Sequence, residues 1–257
     1  MKTHYRDFLR DLSLSSGILT MVVSILVLGG FLLTEQTFAD SSDAVLRAEF
    51  IYREAPFRSC HASTLEEVSP GTILAAWFGG TDAGNDDVAI WGARLEGEEC
   101  GPVAEFAREE GVPCWNPVLF QVREGETLLF YKAGESPRSW SGLVKWSFDG
   151  GETWSDAELL PAGILGPIKN KPIRLDDGTL VCGSSVESWH AWACWVELTK
   201  DGSTWTKHGP IEVPDHPMGI IQPTMFQTRE GNLRMLCRAT RSIGNVCLAE
   251  SRDGGRT

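Results

Sequence analysis

The sequence lacks several common signatures of chemistry. It has no C-x-x-C pair, which argues against a structural zinc site. No nucleotide-binding glycine loop and no Ser-His-Asp spacing stand out in it. Basic residues are few, because 23 Lys and Arg stand against 35 Asp and Glu and the formal net charge is −12. A chain without an overall basic field is poorly suited to nucleic acid. We therefore expect no metal ion, no cofactor and no nucleic-acid partner.

Glycine and tryptophan are abundant instead, with 27 and 10 copies, and both recur in a repeated turn motif. The complete copy, S-F-D-G-G-E-T-W, occupies Ser147–Trp154, and incomplete copies occupy Thr199–Trp205 and Ser251–Thr257. Their central aspartates lie 52 residues apart in both intervals. Equal spacing of this length is typical of a repeat fold.

The residues of the motif suit a structural turn. The aspartate can accept hydrogen bonds from backbone N–H groups of its own turn, the glycines adopt positive φ, and the tryptophan anchors the following strand. We interpret the following motif residues as structural and not catalytic: Ser147, Asp149, Gly151, Thr153, Trp154, Asp201, Trp205, Ser251, Asp253 and Gly255.

A second glycine series has the same period in another phase. Each glycine follows a short strand-like run and precedes an apolar strand, and the members are Gly71, Gly125, Gly178 and Gly231. Short strands joined by tight turns in each repeat are typical of propeller blades. We predict an all-β propeller of about four blades over residues 40–257.

The N-terminus has the pattern of a targeting segment. Lys2, Arg6 and Arg10 precede an apolar run at 17–33, and small residues at 37 and 39 suit a cleavage site. We expect residues 1–39 to be a signal peptide or, alternatively, a membrane anchor through residues 17–33. Either one predicts an exported protein that is periplasmic, extracellular or anchored facing outward.

Seven cysteines in an exported chain allow disulfides, and their odd number leaves at least one unpaired. Candidate pairs across neighbouring strands are Cys182 with Cys194 and Cys237 with Cys247.

Antiparallel strands assign each loop to one of two faces. The face opposite the turn motifs collects seven cationic residues, which suits a carboxylate ligand. The alternative is that each loop cation is merely solvated. With two amides from the same loops, the predicted binding residues are Arg58, Asn116, Lys132, Arg138, Lys169, Lys171, Gln222, Arg238 and Arg241.

Two residues on this face are candidates for proton transfer. Asp87 follows a flexible loop, and repulsion from Asp86 is expected to raise one carboxyl pKa, as a general acid requires. Alternatively, Asp86 only caps the turn. His61 lies three residues from Arg58, and a base beside an arginine suits β-elimination from a uronic acid.

The chain resembles the sialidase superfamily, whose Asp-box pattern S-x-D-x-G-x-T-W is matched at Ser147–Trp154. It is most similar to bacterial sialidase-like proteins with C-H-A-S-T and W-F-G-G-T segments, both present here. The resemblance implies that Arg58 grips a substrate carboxylate, that Asp87 is the acid/base, that Glu187 is the glutamate partner, and that Arg238 or Arg241 is a second arginine.

The superfamily propeller has six blades, so the resemblance implies that this chain is a C-terminally truncated fragment and that the complete protein is a monomer. Its tyrosine nucleophile is then expected beyond residue 257, since the tyrosines here are Tyr5, Tyr52 and Tyr131.

Three functions follow as hypotheses. The first is an exported sialidase-like glycosidase acting on a glycan with a terminal acidic sugar. The second is a polysaccharide lyase or another glycosidase on the same fold. The third is a non-catalytic carbohydrate-binding propeller, in which Trp115, Trp140 or Trp189 stacks on sugar rings.

Overall fold

Four antiparallel sheets follow one another along the chain, in a computed structural model that describes residues 48–257. The predicted targeting segment, 1–39, lies outside the described residues. Within the described part, no helix is long and apolar enough to cross a membrane. Each sheet is one blade, and the four blades form a β-propeller of the predicted all-β class.

The first blade has five strands in the order of the predicted repeat. Strands β1 to β4 form a meander, and β5 pairs with β3 as the outer strand. Their bounds are β1 Ser59–Ser69, β2 Thr72–Gly80, β3 Ala89–Glu96, β4 Glu99–Cys100 and β5 Ala104–Ala107.

The other blades repeat this meander, with four, four and three strands. The second blade contains β6 Cys114–Arg123, β7 Glu126–Ala133, β8 Ser141–Ser147 and β9 Glu158–Leu159. The third contains β10 Ile173–Arg174, β11 Leu180–Glu187, β12 Trp192–Thr199 and β13 Trp205–Ile211. The fourth contains β14 Ile220–Gln227, β15 Leu233–Ala239 and β16 Cys247–Ser251. The glycine turns join the first two strands of every blade, as predicted.

Buried apolar side chains fill the spaces between blades. Leu74 and Ile90 of the first blade pack with Leu119 and Tyr131 of the second, and all four are fully buried. Similar clusters join the second blade to the third and the third to the fourth. Because apolar burial is the main favourable term in folding, these interfaces hold the blades together.

The turn motifs have the predicted structural role. Asp149 accepts hydrogen bonds from the Ser147 hydroxyl at 2.8 Å and from the Thr153 backbone N–H at 2.9 Å. Asp201 and Asp253 accept equivalent bonds from their own turns. The closing tryptophan anchors the motif to the preceding blade, since the Trp154 ring lies 5.4 Å from that of Phe106.

Polar side chains tie the inner strands together near the propeller axis. Glu66 of β1 accepts a hydrogen bond from the Gln121 backbone N–H at 2.7 Å and forms an ion pair with Lys171. The Lys171 ammonium also donates to the Leu119 carbonyl at 2.8 Å. Lys171 thus connects three blades, and because its side chain is also partly exposed, its role as a ligand-binding cation stays a prediction.

The prediction of Lys132 as a ligand-binding cation is corrected, because its side chain is fully buried between the second and third blades. Its ammonium donates to the Pro167 carbonyl and lies near the buried carboxylate of Glu197. Burial lowers the pKa of Lys132 to about 7, although the charge of Glu197 opposes that shift. A side chain in this position cannot contact a ligand at the surface.

All seven cysteines are free thiols in the structure. Cys182 lies opposite Glu197 in the β11–β12 ladder, whereas Cys194 lies opposite Ser185. The predicted pairing of Cys182 with Cys194 is therefore wrong, because the strand register separates them. Cys237 and Cys247 are direct partners in the β15–β16 ladder, as that prediction required.

We predict that Gly151→Ala destabilises the fold by about 3 kcal/mol, from left-handed strain plus overpacking. Gly151 has φ +87°, and a Cβ there would lie 2.3 Å from a methyl carbon of Leu74 in the preceding blade. Gly125→Ala is the matched control, because Gly125 also has a positive φ, +75°, but no atom lies within 4 Å of the added carbon. It should lose about 1 kcal/mol from strain alone. Urea denaturation measures both, and equal losses would show that the contact between blades is unimportant.

We also predict that Lys132 makes stability depend on pH. Between pH 7 and 10.5 the unfolded chain holds a proton on this lysine that the folded chain releases, so raising the pH favours the folded state. Lys132→Met removes this contribution. The difference in unfolding free energy between the wild type and this variant should therefore change by about 2 kcal/mol from pH 7 to pH 9, in favour of the wild type. Lys200→Met, at an exposed lysine, is the control, and an identical pH response of all three proteins would contradict the prediction.

Candidate functional site

The inner strands enter the propeller through an unusual backbone conformation. Ala62, Asn116 and Gln222 have φ of 58°, 40° and 51°, at corresponding positions of β1, β6 and β14. Each one coincides with a shift in strand register. Among residues 48–257 only one other non-glycine residue, Asp215, has positive φ. Strained backbone of this kind persists where the surrounding structure imposes it, and it clusters at functional sites.

These three kinks mark one end of the propeller, which we call the mouth. It consists of the strand entries at 57–62, 114–116, 169–171 and 221–222 and of the loops at 81–87, 134–140, 188–191 and 240–246. It is the face to which the sequence analysis assigned the seven cationic residues. The opposite end carries the turn motifs and the glycine turns.

Three charged residues from three blades converge at the mouth. Glu187 ends β11, and its carboxyl lies in the fields of Arg138 from the second blade and Arg238 from the fourth. Burial raises the pKa of Glu187, and the two arginines only partly offset this. A half-buried carboxyl in the field of two exposed guanidinium groups is an arrangement that can bind an anion and exchange a proton.

Gln222 positions one of these arginines. Its side-chain oxygen accepts a hydrogen bond from Arg238 at 3.1 Å, and its backbone N–H donates to the Ser185 hydroxyl at 3.3 Å. Asn170 donates to the Gln222 and Pro223 carbonyls, each at 3.1 Å. The kink at Gln222 is therefore held from the third blade on both sides. Arg238 takes its orientation from this framework.

Asp87 is at the mouth, but its electrostatics differ from the expectation. Its carboxylate accepts hydrogen bonds from the Thr81 hydroxyl at 2.7 Å and the Thr81 backbone N–H at 2.9 Å. The hydroxyl bond is the main cause that lowers the pKa of Asp87, with a smaller contribution from Arg108. The predicted rise in pKa is therefore wrong for this carboxyl, because its hydrogen bonds favour the ionised form.

Thr81 and Arg108 carry no signal in the sequence that would mark them as partners of Asp87. Arg108 donates to the Asp87 carbonyl at 3.2 Å and forms an ion pair with Glu105. Only the folded loop brings these residues together, and a motif search has no means to detect them.

His61 and Arg58 are exposed at the entry into β1. The imidazole of His61 stacks on the Phe78 ring, with centroids 5.6 Å apart and planes 29° apart. The backbone N–H of Arg58 donates to the Gly80 carbonyl at 3.1 Å, which fixes the start of the strand. The remaining predicted binding residues differ in exposure: Asn116 is buried, Lys169 is half-buried, and Arg241 is exposed in the loop at 240–246.

The aromatic residues of the mouth fall into two groups. Trp115 donates its indole N–H to the Gly134 carbonyl at 2.8 Å and packs against Phe78 and Trp140. These rings stiffen the loops. Trp189 is 69% exposed and lies two residues from Glu187, so it is the ring of this set that is available to a ligand.

Among the described residues, no group of three or more His, Cys, Asp or Glu side chains is placed to hold a metal ion. The candidate site therefore consists of guanidinium, carboxyl, amide and indole groups.

Comparison with curated protein sequences finds no match. Solved structures share the fold at low identity. A protein of unknown function from Dyadobacter fermentans aligns with a TM-score of 0.67 and 16% identity, over 80% of this chain and 69% of its own. The sialidase of Trypanosoma rangeli, solved with sialic acid, aligns with a TM-score of 0.62 and 16% identity, over 79% of this chain. This chain spans only 37% of that sialidase.

An α-L-arabinofuranosidase from Fusarium graminearum, solved as a mutant with an iminosugar inhibitor, is also similar. Its TM-score is 0.58 at 15% identity, with coverage of 78% of this chain and 65% of its own. A family model described as the BNR repeat-like domain matches residues 71–257, which is most of the propeller. The chain therefore belongs to the BNR repeat-like domain family and has the β-propeller fold of sialidases.

Proposed function

We propose that the protein is an exported glycosidase that binds a terminal acidic sugar at the mouth. The observation that carries this proposal is the convergence of Arg138, Glu187 and Arg238 from three blades. Two guanidinium groups can bind a carboxylate through paired, charge-assisted hydrogen bonds. The similarity to a sialidase solved with sialic acid supports an acidic sugar as the ligand.

The two carboxyl groups of the mouth suit different tasks. Because burial raises the pKa of Glu187, this residue keeps its proton to a higher pH than an ordinary glutamate and suits the donation of a proton to a leaving oxygen. Asp87 has a lowered pKa and stays ionised, so it suits a base or a charge that stabilises a cationic transition state. The proposal therefore gives the acid role to Glu187, although the sequence had favoured Asp87.

The hydroxyls of the described tyrosines already have hydrogen-bond partners, so the proposal does not use them as a nucleophile. Tyr131 is fully buried and donates its hydroxyl to Glu109 at 2.6 Å. Tyr52 stacks on Trp77, and its hydroxyl donates to the Cys60 sulfur at 3.1 Å. The step that we propose for the described residues is therefore substrate binding and proton donation.

A neutral sugar is the second candidate ligand. The similarity to an arabinofuranosidase supports it, because that protein has the same fold and its name denotes a neutral sugar.

A lyase reaction would use His61 as the base and would release an unsaturated product that absorbs ultraviolet light.

We predict that Arg238→Gln weakens the binding of sialic acid by about 10-fold to 100-fold, because one charge-assisted hydrogen bond contributes about 1.5 to 3 kcal/mol. Isothermal titration of the full chain measures the affinity. Arg229→Gln is the matched control, because Arg229 is an exposed arginine in the turn at the opposite end of the β14–β15 hairpin. Arabinose should bind weakly to all three proteins. Equal affinity of Arg238→Gln and the wild type, or tighter binding of arabinose, would contradict the proposal.

We predict that Glu187→Gln lowers kcat by about 100-fold or more, because it removes the proton donor. The substrate is an aryl glycoside of an acidic sugar, and the rate of the wild type should fall as the pH rises through the raised pKa of Glu187. The variant should lose this decline and still bind the sugar. Glu135→Gln, at an exposed glutamate of the neighbouring mouth loop, is the control. Full activity of Glu187→Gln would exclude the acid role.

A further inference from the structure

Three thiols meet where the fourth blade packs on the third. Cys194 of β12 and Cys237 of β15 are buried and are hydrogen-bond partners across the interface. Cys247 of β16 packs against the same apolar cluster and is partly exposed. The other four cysteines lie elsewhere in the propeller: Cys60, Cys100, Cys114 and Cys182.

Cys237 and Cys247 satisfy the geometric requirement for a disulfide. They are directly opposite in the antiparallel β15–β16 ladder, where Cα atoms are about 4.5 to 5.5 Å apart. Disulfides span Cα distances of about 4.4 to 6.8 Å. Both side chains contact the same cluster, so they point to the same side of the sheet. A bond between them needs only a rotation of the side chains.

The position of this pair relates it to the mouth. Cys237 and Cys247 are at the base of the loop at 240–246, which carries Arg241, and Cys237 immediately precedes Arg238. A bond between them would close a ring around residues 238–246. The bond would also join β15 to β16, which are neighbours in the sheet of the fourth blade.

We propose that Cys237 and Cys247 form a site of thiol modification that reacts with low-molecular-weight disulfides. The reaction joins the two cysteines by a disulfide, and this bond, which we call the clamp, restrains Arg238 and the loop at 240–246. The relevance of the clamp to ligand binding rests on the proposed function, whereas the formation of the bond does not.

The chemistry balances as two thiol–disulfide exchanges. The partly exposed Cys247 thiolate attacks one sulfur of a disulfide such as oxidised glutathione, forms a mixed disulfide and releases one thiolate. The Cys237 thiolate then attacks the Cys247 sulfur, forms the protein disulfide and releases the second thiolate. The protons of the two cysteines pass to the released thiols, so the protein pair is oxidised by two electrons and the reagent is reduced by two.

The test is to count free thiols by alkylation of the denatured full chain, after incubation of the native protein with oxidised or reduced glutathione. The reduced protein should take up seven alkyl groups, and the oxidised protein should lose two thiols beyond any that carry a glutathione adduct, with a peptide that joins Cys237 to Cys247. Oxidation should raise the melting temperature by about 5 °C, because the disulfide lowers the conformational entropy of the unfolded chain.

Two variants make the test specific. Cys247→Ser should lose no thiol beyond those that carry a glutathione adduct and show no thermal shift. Cys100→Ser, at an exposed cysteine of the first blade, should still form the bridge between Cys237 and Cys247 on oxidation. An unchanged thiol count in the wild type, a bond between Cys194 and Cys237, or a bridge that persists in Cys247→Ser would each overturn the assignment.

Sialic acid titration then separates the two proposals. If the clamp acts on the mouth, oxidised wild type should bind sialic acid with an affinity at least about threefold different from reduced wild type, while Cys247→Ser responds to neither condition. If sialic acid does not bind in either state, the proposed function fails, although the thiol count still decides on the disulfide.

Discussion

Close approach between neighbouring blades is the constraint on which this structure depends. The turn motif of each blade ends against the blade before it, and a glycine at the contact lets the backbone come that near. Gly151 meets Leu74 in this way, and Gly255 meets Val196. Because the contact sets the spacing of the sheets, it also sets where the inner strands run and which loops emerge together. The positions of the loops at the mouth therefore depend on the contacts that the turn motifs make at the opposite end.

The electrostatics of the mouth depend on which of its cationic side chains are exposed and which are paired inside the protein. Lys132 is buried beside Glu197, whereas Lys171 pairs with Glu66 and stays partly exposed. The cations left at the surface of an acidic protein are mainly arginines, which bind carboxylates with two parallel hydrogen bonds. Arg238 is held by Gln222, whose strained backbone is fixed by the third blade. The proposed anion-binding centre is therefore compatible with the net charge of −12.

The fold could be predicted from the sequence because its signals are local and repeated. A glycine turn followed by an apolar strand marks every blade, and the motif at Ser147–Trp154 contains most of its own hydrogen bonds. The site could be predicted only in part. The burial of Lys132 depends on a carboxylate 65 residues later in the chain, and the pKa of Asp87 depends on a hydroxyl across a loop. The separation of Cys182 from Cys194 depends on strand register, which a count of residues did not supply.

A crystal structure of the protein soaked with sialic acid would test the central claim most directly. The account predicts that the sugar carboxylate lies between the guanidinium groups of Arg138 and Arg238, with the Glu187 carboxyl near the anomeric oxygen. A sugar bound at the end that carries the turn motifs, or one at the mouth whose carboxylate points into solvent away from both arginines, would contradict it.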